Sequence, residues 1–150
     1  MKGHCVIQTL EGVAAAASTL RPGSLDLALM AALIAEENRG RDVSVLDMTA
    51  ITPICDYFVI VTGTSRRQLH AIADDIDNRV TKELHETRIG IEGYQESRWI
   101  LLDYGTVVVH MFDQETRAYY DLENLWAEAT KVERTPLVMG PRITVAKSEE

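Results

Sequence analysis

The sequence predicts an α/β protein of the α+β type, a mixed β-sheet of four to five strands flanked by helices, and two stretches carry that prediction. The first is Tyr57-Phe58-Val59-Ile60-Val61-Thr62, apolar without polar alternation, then Gly63-Thr64-Ser65, then Leu69, Ile72, Ile76, Val80 and Leu84 at intervals of three or four. A strand buried on both faces, a turn and an amphipathic helix from about Arg66 to His85 form a strand-turn-helix unit. The second is Trp99 to Phe112, where two β-prone runs flank Tyr104-Gly105. Gly105 can take the positive φ of a primed hairpin turn. Because Tyr104 is a poor first turn residue, a short bulged loop is the alternative. Strands alternating with helices, and a hairpin among them, imply a sheet with helices on both faces.

The other elements follow in order. Ser24 can cap a helix whose apolar positions are Leu25, Leu29 and Leu33 with Met30 and Ile34, stopped at Gly40. Asp42 to Asp47 reads as a short strand, and Thr49 to Asp56, with Pro53, as the loop leaving it. Residues 86 to 98 are polar and hold at most an edge strand around Arg88 to Ile91. After the hairpin, Asp113 can cap a helix with Tyr119, Leu122, Leu125, Trp126 and Ala129 along one face. Residues 1–23 read as a flexible extension, residues 24–131 as the folded domain and residues 132–150 as a flexible tail.

Composition narrows the class. One hundred and fifty residues with 46% hydrophobic and 25% charged side chains suit one globular domain. Lys and Arg number 15 against 23 Asp and Glu, a net charge of −8, so direct sequence-specific nucleic-acid binding is not expected. No run approaches the roughly 20 apolar residues of a membrane span. Near the start, Lys2, Val6, Ile7 and Ala14 to Ala17 faintly resemble a signal peptide, but Gln8, Thr9 and Glu11 interrupt it. Two lone cysteines, Cys5 and Cys55, have no metal-ligand spacing and fit free thiols in a reducing, cytoplasmic compartment.

No reaction is proposed by the residues. Gly63-Thr64-Ser65 could present backbone N–H groups to an anion, but a strand turning into a helix capped by Ser65 needs the same residues. Asp74, Asp75 and Asp77 could hold a cation, yet Asp75 and Asp77 point nearly opposite ways on a helix, as on a solvated face. His110 lies within a strand and reads as a packed, hydrogen-bonded residue; no histidine has zinc-site spacing. The aromatic content concentrates in Trp99, Tyr104, Tyr119, Tyr120 and Trp126, types common as interface anchors. Trp126 reads as core. Trp99 could be an anchor with Asp56, Glu92, Glu96 and Asp103 as an acidic rim, an arrangement suited to a basic protein surface.

In order along the chain, the run Asp56 to Ser65, Gln68, Ala71-Ile72-Ala73-Asp74, Glu92-Gly93, Trp99 to Gly105, Val107 to His110, and Arg117 with Tyr119 to Trp126 together resemble the ribosomal silencing factor family, also called Iojap-like, over roughly residues 24 to 131. No block of the resemblance falls in residues 1–23 or 135–150. The resemblance implies a nucleotidyltransferase-like fold without enzyme activity, cofactor or metal, and a homodimer. It also implies a partner, ribosomal protein fourteen of the large ribosomal subunit, held so that the small subunit cannot join and translation falls, notably under nutrient limitation. The partner-binding residues it implies are first Trp99 and Asp103, with Leu101 and Leu102 between them, then Asp56, Tyr57 and Tyr120. The alternative is a nucleotidyltransferase-like enzyme using the Gly63-Thr64-Ser65 turn and a divalent metal.

Overall fold

Two β-branched runs, Tyr57–Gly63 (β2) and Val107–Asp113 (β5), lie parallel at the centre of the sheet, with Tyr57 opposite Val107 and Gly63 opposite Asp113. Parallel neighbours need a long crossover, and here it contains a helix, Arg66–Arg79 (α2), and two strands, Gly90–Glu92 (β3) and Trp99–Asp103 (β4). The computed structural model describes residues 23–134. The described part of the chain starts with a helix, Ser24–Glu37 (α1), and a strand, Arg41–Asp47 (β1). It ends with two short helices, Gln114–Tyr120 (α3) and Leu122–Leu125 (α4), and a two-residue strand, Thr130–Lys131 (β6). The strand order is β3-β4-β5-β2-β1-β6, all antiparallel except β2 with β5. A mixed sheet is therefore present with six strands rather than four or five, the sixth being too short to leave a periodicity.

The two faces of the sheet are covered unequally. Val59, Val61, Ile100, Leu102, Val109 and Met111 point to one face and are fully buried under α1 and α2. Helix α1 meets them with Leu27, Ala28, Ala31, Ala32, Ile34 and Ala35. Ile34 and partly buried Met30 keep their predicted inward place, but Leu25 and Leu33, each 40% exposed, do not. Small alanines let the helix approach the sheet closely, and a leucine spacing alone cannot distinguish that face from its neighbour. The opposite face carries Leu46, Met48, Cys55, Ile60 and Phe112, with Phe58, Trp99, Val108, Leu122 and Trp126 partly covered.

Other boundaries shift for identifiable reasons. Gly23, not Ser24, is the N-cap of α1, its N–H donating to the Asp26 carboxylate at 3.0 Å. Helix α2 keeps its Ser65 cap, which accepts from the Gln68 N–H, and ends in a π turn at Val80–Leu84 with His85 left-handed. The helix expected after Asp113 is broken, because Asp121 adopts φ 44° between α3 and α4. Tyr119 and Leu125 consequently face solvent while Leu122 and Trp126 turn to the sheet. The hairpin is the short-loop alternative: Asp103 pairs with Val108, Gly105 has φ 82°, and the Asp103 carboxylate accepts from the Gly105 N–H at 2.8 Å. Tyr104 is unsuited to the turn because it serves the core, 6% exposed with its hydroxyl donating to Asp77 at 3.1 Å.

The expected flanks 1–23 and 132–150 lie largely outside the described residues, as do Cys5 and the signal-like segment. Inside them, the Val132 N–H donates to the Val45 carbonyl, and Arg134 donates to Glu36 and to the Val43 carbonyl. These contacts carry the last strand on along β1.

One glycine fixes where β4 begins. Gly93 has φ 72°, and a Cβ there would stand 1.9 Å from the Trp99 carbonyl oxygen. Gly93→Ala is expected to lower unfolding stability by about 2 kcal/mol or more, read as a lower urea midpoint; an unchanged midpoint would show that the contact is not tight.

Candidate functional site

Strand alternation divides the predicted binding residues. On β4, Trp99, Leu101 and Asp103 share the thinly covered face, each half-buried, while Ile100 and Leu102 are fully buried under the helices. Leu102 is thus a core residue that cannot touch a partner. The row from Trp99 to Asp103 is four residue steps, roughly 13 Å long. Tyr120 leans on Trp99 with ring centroids 4.7 Å apart and is 47% exposed. Asp56 lies at the Asp103 end, where its own N–H and that of Tyr57 donate to the Thr106 carbonyl at 2.7 and 3.2 Å. Tyr57 packs toward the α1 and α2 side; burial and the Asp47 and Asp56 carboxylates push its phenol upward.

Trp99 is held from several directions. It pairs with Phe112 across the ladder, their ring centroids 5.0 Å apart, and its indole N–H donates to His110 Nδ1 at 3.1 Å. The preceding loop is tied to α2. His70 stacks on Tyr94 at 4.1 Å and bonds to the Tyr94 carbonyl and the Ser97 hydroxyl, and Arg66 donates to the Gln95 carbonyl at 2.8 Å. Behind Trp99, Arg117 of α3 donates to Thr62 on β2 at 2.8 Å and pairs with Glu123 of α4 at 2.6 Å. One guanidinium thereby fixes both short helices against the sheet.

Two open grooves flank the row. One, of about 470 Å³, is lined by Glu96, Arg98, Trp99, Glu115, Tyr119 and Tyr120 among others. The second, of about 340 Å³, includes Ile54, Phe58, Glu92, Leu101, Asp103 and His110. The expected acidic rim is accordingly split: Glu96 borders the first groove, Glu92 and Asp103 the second. Ile54 is 84% and Tyr119 81% exposed, adding apolar surface that the sequence reading did not assign to the site. An isoleucine in the loop beside Pro53 was the available signal for the former; for the latter it was membership of the aromatic concentration, outweighed by an expected unbroken helix that would have placed it on the apolar face.

The residues of the Gly63-Thr64-Ser65 turn and the α2 aspartates bond to neighbours within the fold. The Thr64 N–H and hydroxyl both donate to the Gln68 side chain, at 2.6 and 2.9 Å, and Gln68 in turn donates to the Asn38 and Arg39 carbonyls. The aspartates of α2 are not simply solvated. Asp74 accepts from the Tyr94 hydroxyl, Asp75 from Asn38, and Asp77 from Tyr104 and Arg88. Among the described residues no group of three or more His, Cys, Asp or Glu is placed to hold a metal ion, and no helix is long and apolar enough to cross a membrane. Cys55 is buried and free, its thiol pushed upward by burial and then by Asp56 and Asp103.

Fold and face together define a mixed-sheet α+β domain with an aromatic, carboxylate-edged surface on one side. The sequence profile described as "Ribosomal silencing factor during starvation" matches residues 21–149, and the chain belongs to that family. The ribosomal silencing factor of Bacillus subtilis is 40% identical over 100 residues, covering 67% of this chain and 84% of that protein. A mouse protein named for mitochondrial assembly of the ribosomal large subunit is 36% identical over 104 residues, covering 67% of this chain and 45% of its own length. Among solved structures, one from Chromobacterium violaceum superposes with a TM-score of 0.67 at 30% identity, covering 77% of this chain and 93% of that one.

His110 gives this face a pH signature. Burial pushes its imidazole from 6.5 down to about 4, so the unfolded chain takes up a proton more readily than the folded one. The neutral ring's contribution is whole above about pH 6.5 and is lost as pH falls toward 4. His110→Gln is expected to flatten the decline of urea-unfolding stability across that window by up to about 3 kcal/mol; a slope identical to that of the unaltered protein would trace the decline to carboxylates instead.

Proposed function

We propose that this protein binds the large ribosomal subunit through ribosomal protein fourteen and blocks joining of the small subunit, lowering translation, notably under nutrient limitation. The observation that carries the reading is the row Trp99, Leu101 and Asp103, aligned on the thinly covered face with Tyr120 against the indole. Aromatic anchors that are partly buried before docking lose little side-chain freedom on binding. Glu96, Glu115 and Asp103 around them suit the basic surfaces typical of ribosomal proteins. A steric blocker needs such a surface and no reaction centre, so we read the chain as no enzyme. Family membership supports the ribosomal role, and the named mouse relative supports the large subunit as the partner. The same reading places the protein in the cytoplasm with the ribosomes, as a homodimer.

Cosedimentation with isolated large subunits tests this directly. The unaltered protein is expected to travel with large subunits and, when added beforehand, to reduce their joining with small subunits. Trp99→Ala should weaken binding by about 2 kcal/mol, and Asp103→Lys should abolish it by charge reversal. Because Asp103 also holds the hairpin turn, Asp103→Asn serves as the control that keeps a side-chain acceptor for Gly105 while removing the charge. Failure of the unaltered protein to cosediment, or full cosedimentation of both Trp99→Ala and Asp103→Lys, would falsify the reading.

A further inference from the structure

His110 holds a donor that the protein itself does not use. Its Nδ1 accepts from the Trp99 indole N–H, so that nitrogen carries its lone pair and the neutral ring carries its proton on Nε2. Nε2 is shielded from solvent and has no hydrogen-bond partner among the described residues. The ring is 5% exposed and meets Phe58 in an edge contact at 4.7 Å, which supplies no oxygen acceptor. A buried N–H without a partner is uncommon in native proteins and calls for an explanation. His110 also lines the groove of about 340 Å³ whose apolar walls include Ile54, Phe58, Leu101, Val108 and Trp126.

We propose that this groove receives an apolar group of the docked ribosomal protein that carries a neutral oxygen acceptor, and that the oxygen completes the hydrogen bond from His110 Nε2–H. The proposal rests on the docking reading above and names the chemistry it recognises. The occupant follows by elimination. A lysine or arginine head group has donors only and leaves Nε2–H unmatched. A carboxylate meets Glu92 and Asp103 in the same lining and is repelled. A hydroxyl, a carboxamide or a backbone carbonyl on an apolar stem satisfies both the donor and the walls. Nε2 is covered in the free protein, so the proposed bond forms only if the lining around His110 shifts on docking. A site with a buried donor discriminates strongly against partners that lack the acceptor, since they leave it unpaired.

The test uses the full chain with 15N-labelled histidine and purified ribosomal protein fourteen. On complex formation the His110 Hε2 resonance is expected to move downfield as its hydrogen bond forms. His110→Phe should weaken binding at least tenfold, because it removes both the Nε2 donor and the acceptor that holds the Trp99 indole, and the Hε2 resonance of the unaltered chain separates the two causes. His110→Gln retains an N–H donor and should stay within about threefold of the unaltered protein. The resonance is read in the unaltered chain, so misfolding of a variant leaves the test intact. If the partner binds and Trp99→Ala weakens it, but the Hε2 resonance stays in place, the docking reading stands and this inference falls. If the unaltered protein does not bind at all, both fall.

Discussion

Parallel pairing of β2 with β5 is the constraint on which the other elements depend. Two strands running the same way cannot be joined by a tight turn, so the chain must leave the sheet and return. The crossover carries α2, which covers one face, and the β3 and β4 strands, which extend the sheet beyond β5. Antiparallel β1 completes the other side, and α1 lies beside α2 over the same face. With both long helices on one side, the other is covered among the described residues by the seven-residue α3, the four-residue α4 with the turn after it, and the loop after β1. The face proposed to dock is the part of the sheet that the long helices do not reach.

Uneven cover also explains how the face can be both apolar and ordered. A sheet surface left half open would ordinarily hold loosely packed aromatics, but here each ring has a second attachment. Trp99 is fixed by the His110 nitrogen and by Phe112, Phe58 meets both His110 and Trp126, and the Tyr120 helix is fastened by Arg117 to Thr62. The bonds from α2 to residues 94–97 hold the chain just before Trp99. Preorganised rings reduce the ordering cost of binding, which matters when the partner itself is rigid.

Much of this was legible in the sequence because period and turn chemistry are local. The apolar run at Tyr57, the Ser65 cap, the α2 spacing and the hairpin around Gly105 need no tertiary information. So does the alternation that puts Trp99, Leu101 and Asp103 on one side, and it equally sends Leu102 to the other. What was not legible depends on distant partners. Tyr104 enters the core because Asp77 waits there for its hydroxyl. The α1 face is chosen by how closely alanines fit the sheet rather than by where leucines recur. The helix after Asp113 breaks at Asp121, and Arg117, bonded to Thr62 on one side and Glu123 on the other, holds both pieces. The grooves are lined by residues from several separate elements, so their outlines were beyond reach even though Trp99 was not.

The chain has two tryptophans, and both Trp99 and Trp126 pack on the same side of the sheet. The helix-covered side has none among the described residues. Tryptophan emission is consequently a one-sided signal, sensitive to what happens at the grooves and blind to rearrangements under α1 and α2. The molecule carries its own optical probe of the groove-bearing face.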